Sequence, residues 1–380
     1  MKCYCSALTQ LRCLSSWLAV AGLLIACPRP AAPSTSQSTP APDRFEQWLA
    51  ALDAHTPGDP GKAAVEVSTW TGSELEGVVM EAKRRARALA RTDPARANQI
   101  LLRGAVLHAD IGRLIPDDAV RRSPSQQTTY IVRDGRWLGI RFISMHWQLG
   151  RALLDSVSPD PAAVPEVRAW YEETSSDLLR MRQFAAAFEH YARARQIFPA
   201  APDILFVSGV LHELFASANL QAAAESVLDS NRASAAVSTV RSELARAERF
   251  LRDSLVHRPD HLEARVRHGR ILAELGKHDE AQAELRRAID DGAGNELLYF
   301  ALLFLGRAEE ALGHLEASRG AFERASTLYP NAQSPRLALS QISRRTGDRA
   351  AAQRELQVIS KLPDDQRKRE DPWWAYYDMR

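Results

Sequence analysis

Leu262-Glu-Ala-Arg-Val-Arg-His-Gly269-Arg-Ile-Leu272-Ala-Glu-Leu-Gly276, followed by His278-Asp-Glu-Ala281-Gln-Ala-Glu-Leu285-Arg-Arg-Ala288, is the stretch that decides the fold. In both halves large and small apolar residues recur at steps of three, four and seven, which predicts two helices, each with one greasy stripe. Gly276 can take the left-handed conformation that ends a helix, and the second half restarts within a few residues. A helical hairpin of this kind leaves its stripe wet unless another hairpin stacks against it, so the expectation is an all-α stack of hairpins.

Two further copies follow. The first carries Leu302, Leu305-Gly306, Gly313, Phe322, Ala325 and Pro330, and the second Leu339, Gly347, Ala352, Leu356 and Pro363. These residues resemble the tetratricopeptide repeat family, whose period is about 34 residues. Ser318, Glu309 and Ser343 depart from that family's usual choices. Gly313 to Gly347 is one period, whereas Gly276 to Gly313 is about three residues longer, so an enlarged turn is expected there. Upstream, Tyr171, Ala187, Tyr191, Ala194 and Pro199 match the family's positions in order, with weaker matches at Ser175 and Leu178.

The resemblance implies a groove lined by first-helix side chains that grips a protein or peptide. Polar candidates for its contacts are Arg265, His268, Arg270 and Gln341. The array is expected over 161–363, with an Ala- and Ser-rich insertion near 216–239 that would project from one face. Beyond it, the charged run Asp364–Asp371 leads into Pro372, Trp373, Trp374, Tyr376 and Tyr377. Such a cluster of aromatic rings is costly to leave in water. Either it folds back on the last repeat or along the groove, or it is an exposed docking peptide whose rings contact a partner.

At the front of the chain, Lys2 and Arg12 precede an apolar run, Leu14–Ala26, too short to span a bilayer. Leu24-Ile25-Ala26-Cys27 closes the run and resembles the lipobox of bacterial lipoproteins. That resemblance implies cleavage after residue 26, lipidation of Cys27, including palmitate, and an address at the cell envelope. Pro28 after the cysteine favours the outer membrane, facing the periplasm. An ordinary export signal, or a short anchor that happens to contain a cysteine, is the alternative. Residues 28–42 are Pro, Ser, Thr and Ala apart from Arg29 and Gln37, with no large apolar side chain, which predicts a disordered tether after the 1–27 signal.

All four cysteines, Cys3, Cys5, Cys13 and Cys27, lie in that leader, so no disulfide braces the body. The whole chain's hydrophobic content of 45% and charged content of 25% are ordinary for a folded protein. Loss of the leader removes Lys2 and Arg12 and no acid, so the 49 basic side chains fall level with the 47 acidic ones. A near-neutral body argues against a nucleic-acid partner.

Residues 43–160 predict a divergent helical region. Phe45, Trp48, Leu49 and Leu52 share a face, Leu75–Leu89 and Ala95–Leu114 read as longer helices, and Thr92-Asp93-Pro94 starts the second of these. β-Branched and aromatic residues on both sides of Asp134-Gly135 predict a small hairpin near 128–140.

Chemistry is weakly signalled. His108 and His212 each follow a Gly-(Ala)-Val-Leu run, and His146 lies on a third helix. Converging, they could hold a metal or supply a general base, giving a metal-binding protein or hydrolase as the alternative to a binding scaffold. Without a His-Glu-x-x-His pair, the plainer expectation is that each ring fills a helix contact and makes one hydrogen bond. No phosphate loop, nucleophile elbow or body cysteine is present, and no cofactor is expected. The leading expectation is a lipid-anchored scaffold for a protein or peptide partner in the envelope, of oligomeric state that the sequence leaves open.

Overall fold

A computed structural model describes residues 44–59, 61–113, 130–133, 136–180, 184–225, 230–362 and 371–376. Cys27, the tether and the charged run up to residue 370 lie outside them, as does Tyr377. Among the described residues no helix is long and apolar enough to cross a membrane. The chain divides into two compact units after Ala186.

In the first unit, helices α1 (Arg44–Ala54), α2 (Gly61–Ser68), α3 (Gly72–Leu89) and α4 (Pro94–Gly112) precede strands β1 (Tyr130–Arg133) and β2 (Arg136–Gly139). Helices α5 (Ile140–Leu154) and α6 (Pro165–Arg180) follow. Local chemistry sets the starts. Thr71 and Glu74 form a reciprocal capping box on α3, and Asp93 caps α4 one residue before Pro94. The two strands pair antiparallel with Arg133 opposite Arg136, the hairpin expected around Asp134-Gly135.

Glycines admit tryptophans between these helices. A Cβ on Gly104 would meet Trp48 at 2.6 Å, one on Gly112 would meet Trp147 at 2.7 Å, and one on Gly150 would meet Trp170 at 2.7 Å. Trp170 also donates its indole N–H to the Ala105 carbonyl at 2.8 Å. Arg113, just after α4, bonds Asp177 of α6 at 2.7 Å. These ties place α6 in the first unit, whereas the sequence reading opens the repeat array at residue 161.

The second unit holds most of α7 (Phe184–Ile197), then α8 (Pro202–Glu225) and α9 (Ser230–His257), α10 (Leu262–Glu274) and α11 (His278–Asp290), α12 (Asn295–Ala311) and α13 (Leu315–Leu328), and α14 (Gln333–Arg345) and α15 (Arg349–Ser360). Each helix from α8 to α15 packs on the next, and the first helices α8, α10 and α12 also touch in series. Gly276, Gly313 and Gly347 turn three of the hairpins with φ of 81°, 83° and 85°, values that favour glycine.

One packing device recurs inside the hairpins. Gly209 lies under Leu251, Gly269 under Leu285 and Gly306 under Phe322, so a large side chain of each second helix rests on first-helix backbone. In the last hairpin Ser340 takes the glycine's place, and its hydroxyl donates to the Ala352 carbonyl.

One expectation needs correction. The added residues between Gly276 and Gly313 do not enlarge a turn; they lengthen α12, which has 17 residues where α10 and α14 have 13. The Ala- and Ser-rich insertion is helical where it is described. It continues both arms of one hairpin, giving α8 its 24 residues and α9 its 28, as befits a stretch rich in the best helix former.

Candidate functional site

Four first helices converge on a six-residue segment. Residues 371–376 contain a short 3-10 turn, Pro372–Ala375, started by Asp371, whose carboxylate accepts the Trp373 N–H at 3.1 Å. The same carboxylate is buried and accepts the Tyr299 hydroxyl of α12 at 2.6 Å. It also accepts the N–H and the hydroxyl of Ser334 on α14, at 2.8 and 2.6 Å. Burial, with Asp371 beside it, pushes the Tyr299 phenol above its ordinary range and keeps it a donor.

Tyr376 is the other anchor. Its ring meets Phe300 and Phe304 of α12 edge to face, at 5.0 and 5.4 Å between centroids, and stacks on Trp373 at 5.6 Å. Its hydroxyl donates to Glu213 of α8 at 2.8 Å. Burial first, and then Glu213, hold this phenol above its usual value, so it stays protonated.

Glu213 is the hub. Arg267 and Arg270 of α10 reach its two oxygens at 2.9 and 2.5 Å, and both guanidinium groups lie 4.6 Å from the centre of the Tyr376 ring. Arg267 also donates to the Tyr376 carbonyl at 3.3 Å. Burial opposes the charge on Arg267, but Tyr376, Glu213 and Glu263 hold it above the ordinary arginine range. A fully buried carboxylate is tolerated here because two cations and a phenol satisfy it.

The sequence-predicted contacts divide. Arg270 lies in this site, and Trp373 and Tyr376 occupy it, which selects the fold-back over the exposed docking peptide for those two rings. The Trp374 side chain lies outside what is described. Gln341 is exposed on α14 and donates to Glu310 of α12 at 3.3 Å. Arg265 is not a groove contact. It is buried and braces the hairpin through Glu284 at 2.8 Å and the Pro259 carbonyl. His268 is likewise buried, with Glu248 3.6 Å away, and burial lowers its pKa.

Sequence reasoning missed Glu213, Arg267, Tyr299, Ser334 and Asp371. One signal was available for Glu213: a lone charge in an otherwise apolar helical run needs an opposite charge from elsewhere.

His108 of α4 and His146 of α5 meet Nδ1 to Nδ1 at 2.8 Å, while His212, in the second unit, faces Glu243 of α9 at 2.6 Å. No group of three or more His, Cys, Asp or Glu among the described residues is placed to hold a metal ion. Each ring serves a helix contact. One Nδ1 of the histidine pair must donate and the other accept, so the accepting ring is neutral, and burial favours the neutral form of both. Burial drives His108 well below its ordinary value, helped by His146, and puts His146 at about 4.

Residues 262–290, α10 and α11 with their glycine turn, match the family model described as "Tetratricopeptide repeat". No curated protein matches the chain. Among solved structures, MamA 41-end from Desulfovibrio magneticus RS-1 is similar at 20% identity and TM-score 0.40, over 51% of this chain and 94% of that one. A structure titled "Functional Characterization of Pseudomonas Aeruginosa pilF" is similar at 17% identity and TM-score 0.40, over 52% of this chain and 77% of that one.

Proposed function

We propose that the chain, whose residues 262–290 match the tetratricopeptide-repeat model, is a lipid-anchored scaffold that binds a protein or peptide partner of the cell envelope across its first helices. Proteins of this repeat class are generally non-catalytic and bind protein partners. The observation that carries the reading is the seat of residues 371–376. A short peptide segment lies there on side chains from α8, α10, α12 and α14, with its carboxylate, rings and one carbonyl each contacted. Exposed Gln341 marks where the first-helix face continues beyond the segment. The anchor is supported by the lipobox-like Leu24-Ile25-Ala26-Cys27 and the Pro-, Ser- and Thr-rich tether after it.

A photo-crosslinking residue placed at Gln341, with one at exposed Arg287 on second helix α11 as control, tests the binding face in envelope preparations. The expected outcome is one discrete adduct from position 341 and none from 287; equal patterns from both would overturn the reading. For the anchor, Cys27→Ser is expected to move the protein from the membrane fraction to the soluble one. Unchanged fractionation would remove the lipid from the proposal.

A further inference from the structure

We infer that residues 371–376 are a built-in occupant of the first-helix face. They stand in for a partner peptide with a carboxylate followed two and five residues later by aromatic side chains, the last a tyrosine, and such a peptide binds by displacing them. This inference rests on the peptide-binding reading above.

The segment carries its own fold. Asp371 accepts the Trp373 N–H and the Tyr376 N–H reaches the Trp373 carbonyl, so the turn that presents its side chains is specified within six residues. A free peptide of the same pattern can form the same turn. The hairpins, for their part, are held by other contacts: Gly269 under Leu285 and Gly306 under Phe322 join first to second helices without the segment.

The seat is also built for polar recognition. An apolar cap would need neither the Glu213, Arg267 and Arg270 cluster nor the three donors that Tyr299 and Ser334 aim at one carboxylate. Those donors reject a peptide without the acid, because they would be left buried and unpaired. Glu213 likewise prefers tyrosine to phenylalanine at the second ring. Between these two polar ends, Phe300 and Phe304 face Tyr376, and Phe304 also meets Trp373. The partner is therefore an acidic, doubly aromatic peptide segment. Because the resident segment is tethered, its effective concentration is high and a free competitor meets an occupied site.

The test uses the full chain and a fluorescein-labelled synthetic peptide, Glu-Asp-Pro-Trp-Trp-Ala-Tyr-Tyr, the sequence of residues 370–377. In fluorescence anisotropy, the double variant Asp371→Ser, Tyr376→Ala is expected to bind this probe at least about 10-fold more tightly than wild type. Adding Glu213→Gln to the double variant, or replacing the probe's aspartate by asparagine, is expected to remove most of that gain. Equal affinity for wild type and double variant, or binding indifferent to the probe's aspartate, would overturn the inference. So would an absence of binding to a double variant whose circular dichroism matches wild type. If that variant fails to fold, Tyr376→Phe keeps the packed ring and loses only the hydroxyl, and a gain of about threefold is expected; no gain there overturns the inference as well. An adduct at Gln341 with no probe binding would leave the scaffold standing and end only the stand-in.

Discussion

In the first unit two imidazoles, His108 and His146, meet at 2.8 Å, and the outer nitrogen of each is buried without a hydrogen-bond partner among the described residues. In the second, Glu213 meets two guanidinium groups and a phenol that together satisfy it. The first arrangement is most stable while both rings are neutral, because a buried ring that takes up a proton is cut off from water, so it depends on pH. The second is charged and survives because its charges are paired, so it depends on keeping every partner. Burying ionisable groups therefore makes the histidine pair acid-sensitive and the carboxylate cluster sensitive to the loss of single side chains.

The harshest way to break this contrast is Glu213→Ala, which leaves Arg267 and Arg270 without their shared carboxylate. Loss of about 3–5 kcal/mol is expected, seen as a fall in melting temperature on the order of 10 °C. A melting temperature within a degree of wild type would mean that the cluster is not the counterweight described.

Acid probes the other unit. His146 titrates at about 4 in the folded protein, against about 6.5 when unfolded. Between those values the unfolded chain takes up a proton that the folded chain refuses. Stability present above about pH 6.5 is thus lost as pH falls towards 4, by on the order of 3 kcal/mol. Urea unfolding at pH 7 and at pH 4.5, read by tryptophan fluorescence, is expected to show a lower midpoint in acid. His146→Leu is expected to flatten that dependence, and an equally steep profile in the variant would place the acid sensitivity elsewhere.

The mildest test asks whether the close helix contacts are equivalent in the two units. Gly104→Ala and Gly306→Ala put a Cβ 2.6 Å from Trp48 and from Phe322 and are each expected to cost about 1–3 kcal/mol. Gly320→Ala on α13 meets nothing within 4 Å and is expected to gain up to about 1 kcal/mol from helix propensity. Chemical denaturation of the three variants side by side gives the ranking.

How much of this is legible in the sequence follows from the same contrast. The second unit repeats itself, so Gly276, Gly313 and Gly347 mark its turns and the spacing exposes its hairpins without coordinates. The helical nature of 216–225 and 230–239 is harder to read, because alanine and serine carry no stripe and only propensity speaks for a helix. The fold-back of Trp373 and Tyr376 is foreseeable from the cost of wet aromatic rings. Their receptors are not, since Tyr376 and Glu213 are 163 residues apart and no local pattern links them. The first unit lacks a period, so neither the tryptophan-on-glycine contacts nor the meeting of His108 with His146 has any signature in spacing. Arg265 and His268 were misassigned for a related reason: polar side chains on a first helix can turn towards the second helix as readily as towards the groove.

The added length of α12 has a last consequence. The extra residues fall ahead of Tyr299, at the helix's start, where α10 and α14 have no counterpart, since their corresponding residues, Leu262 and Gln333, open their helices. A turn holds 3.6 residues, so an insertion of about that size leaves every later side chain pointing as before. An insertion of one or two would have swung Phe300 and Phe304 around the axis. Growth by a whole turn thus let this repeat gain a firm platform under Tyr299, away from the fraying end, without disturbing the face it shares with its neighbours.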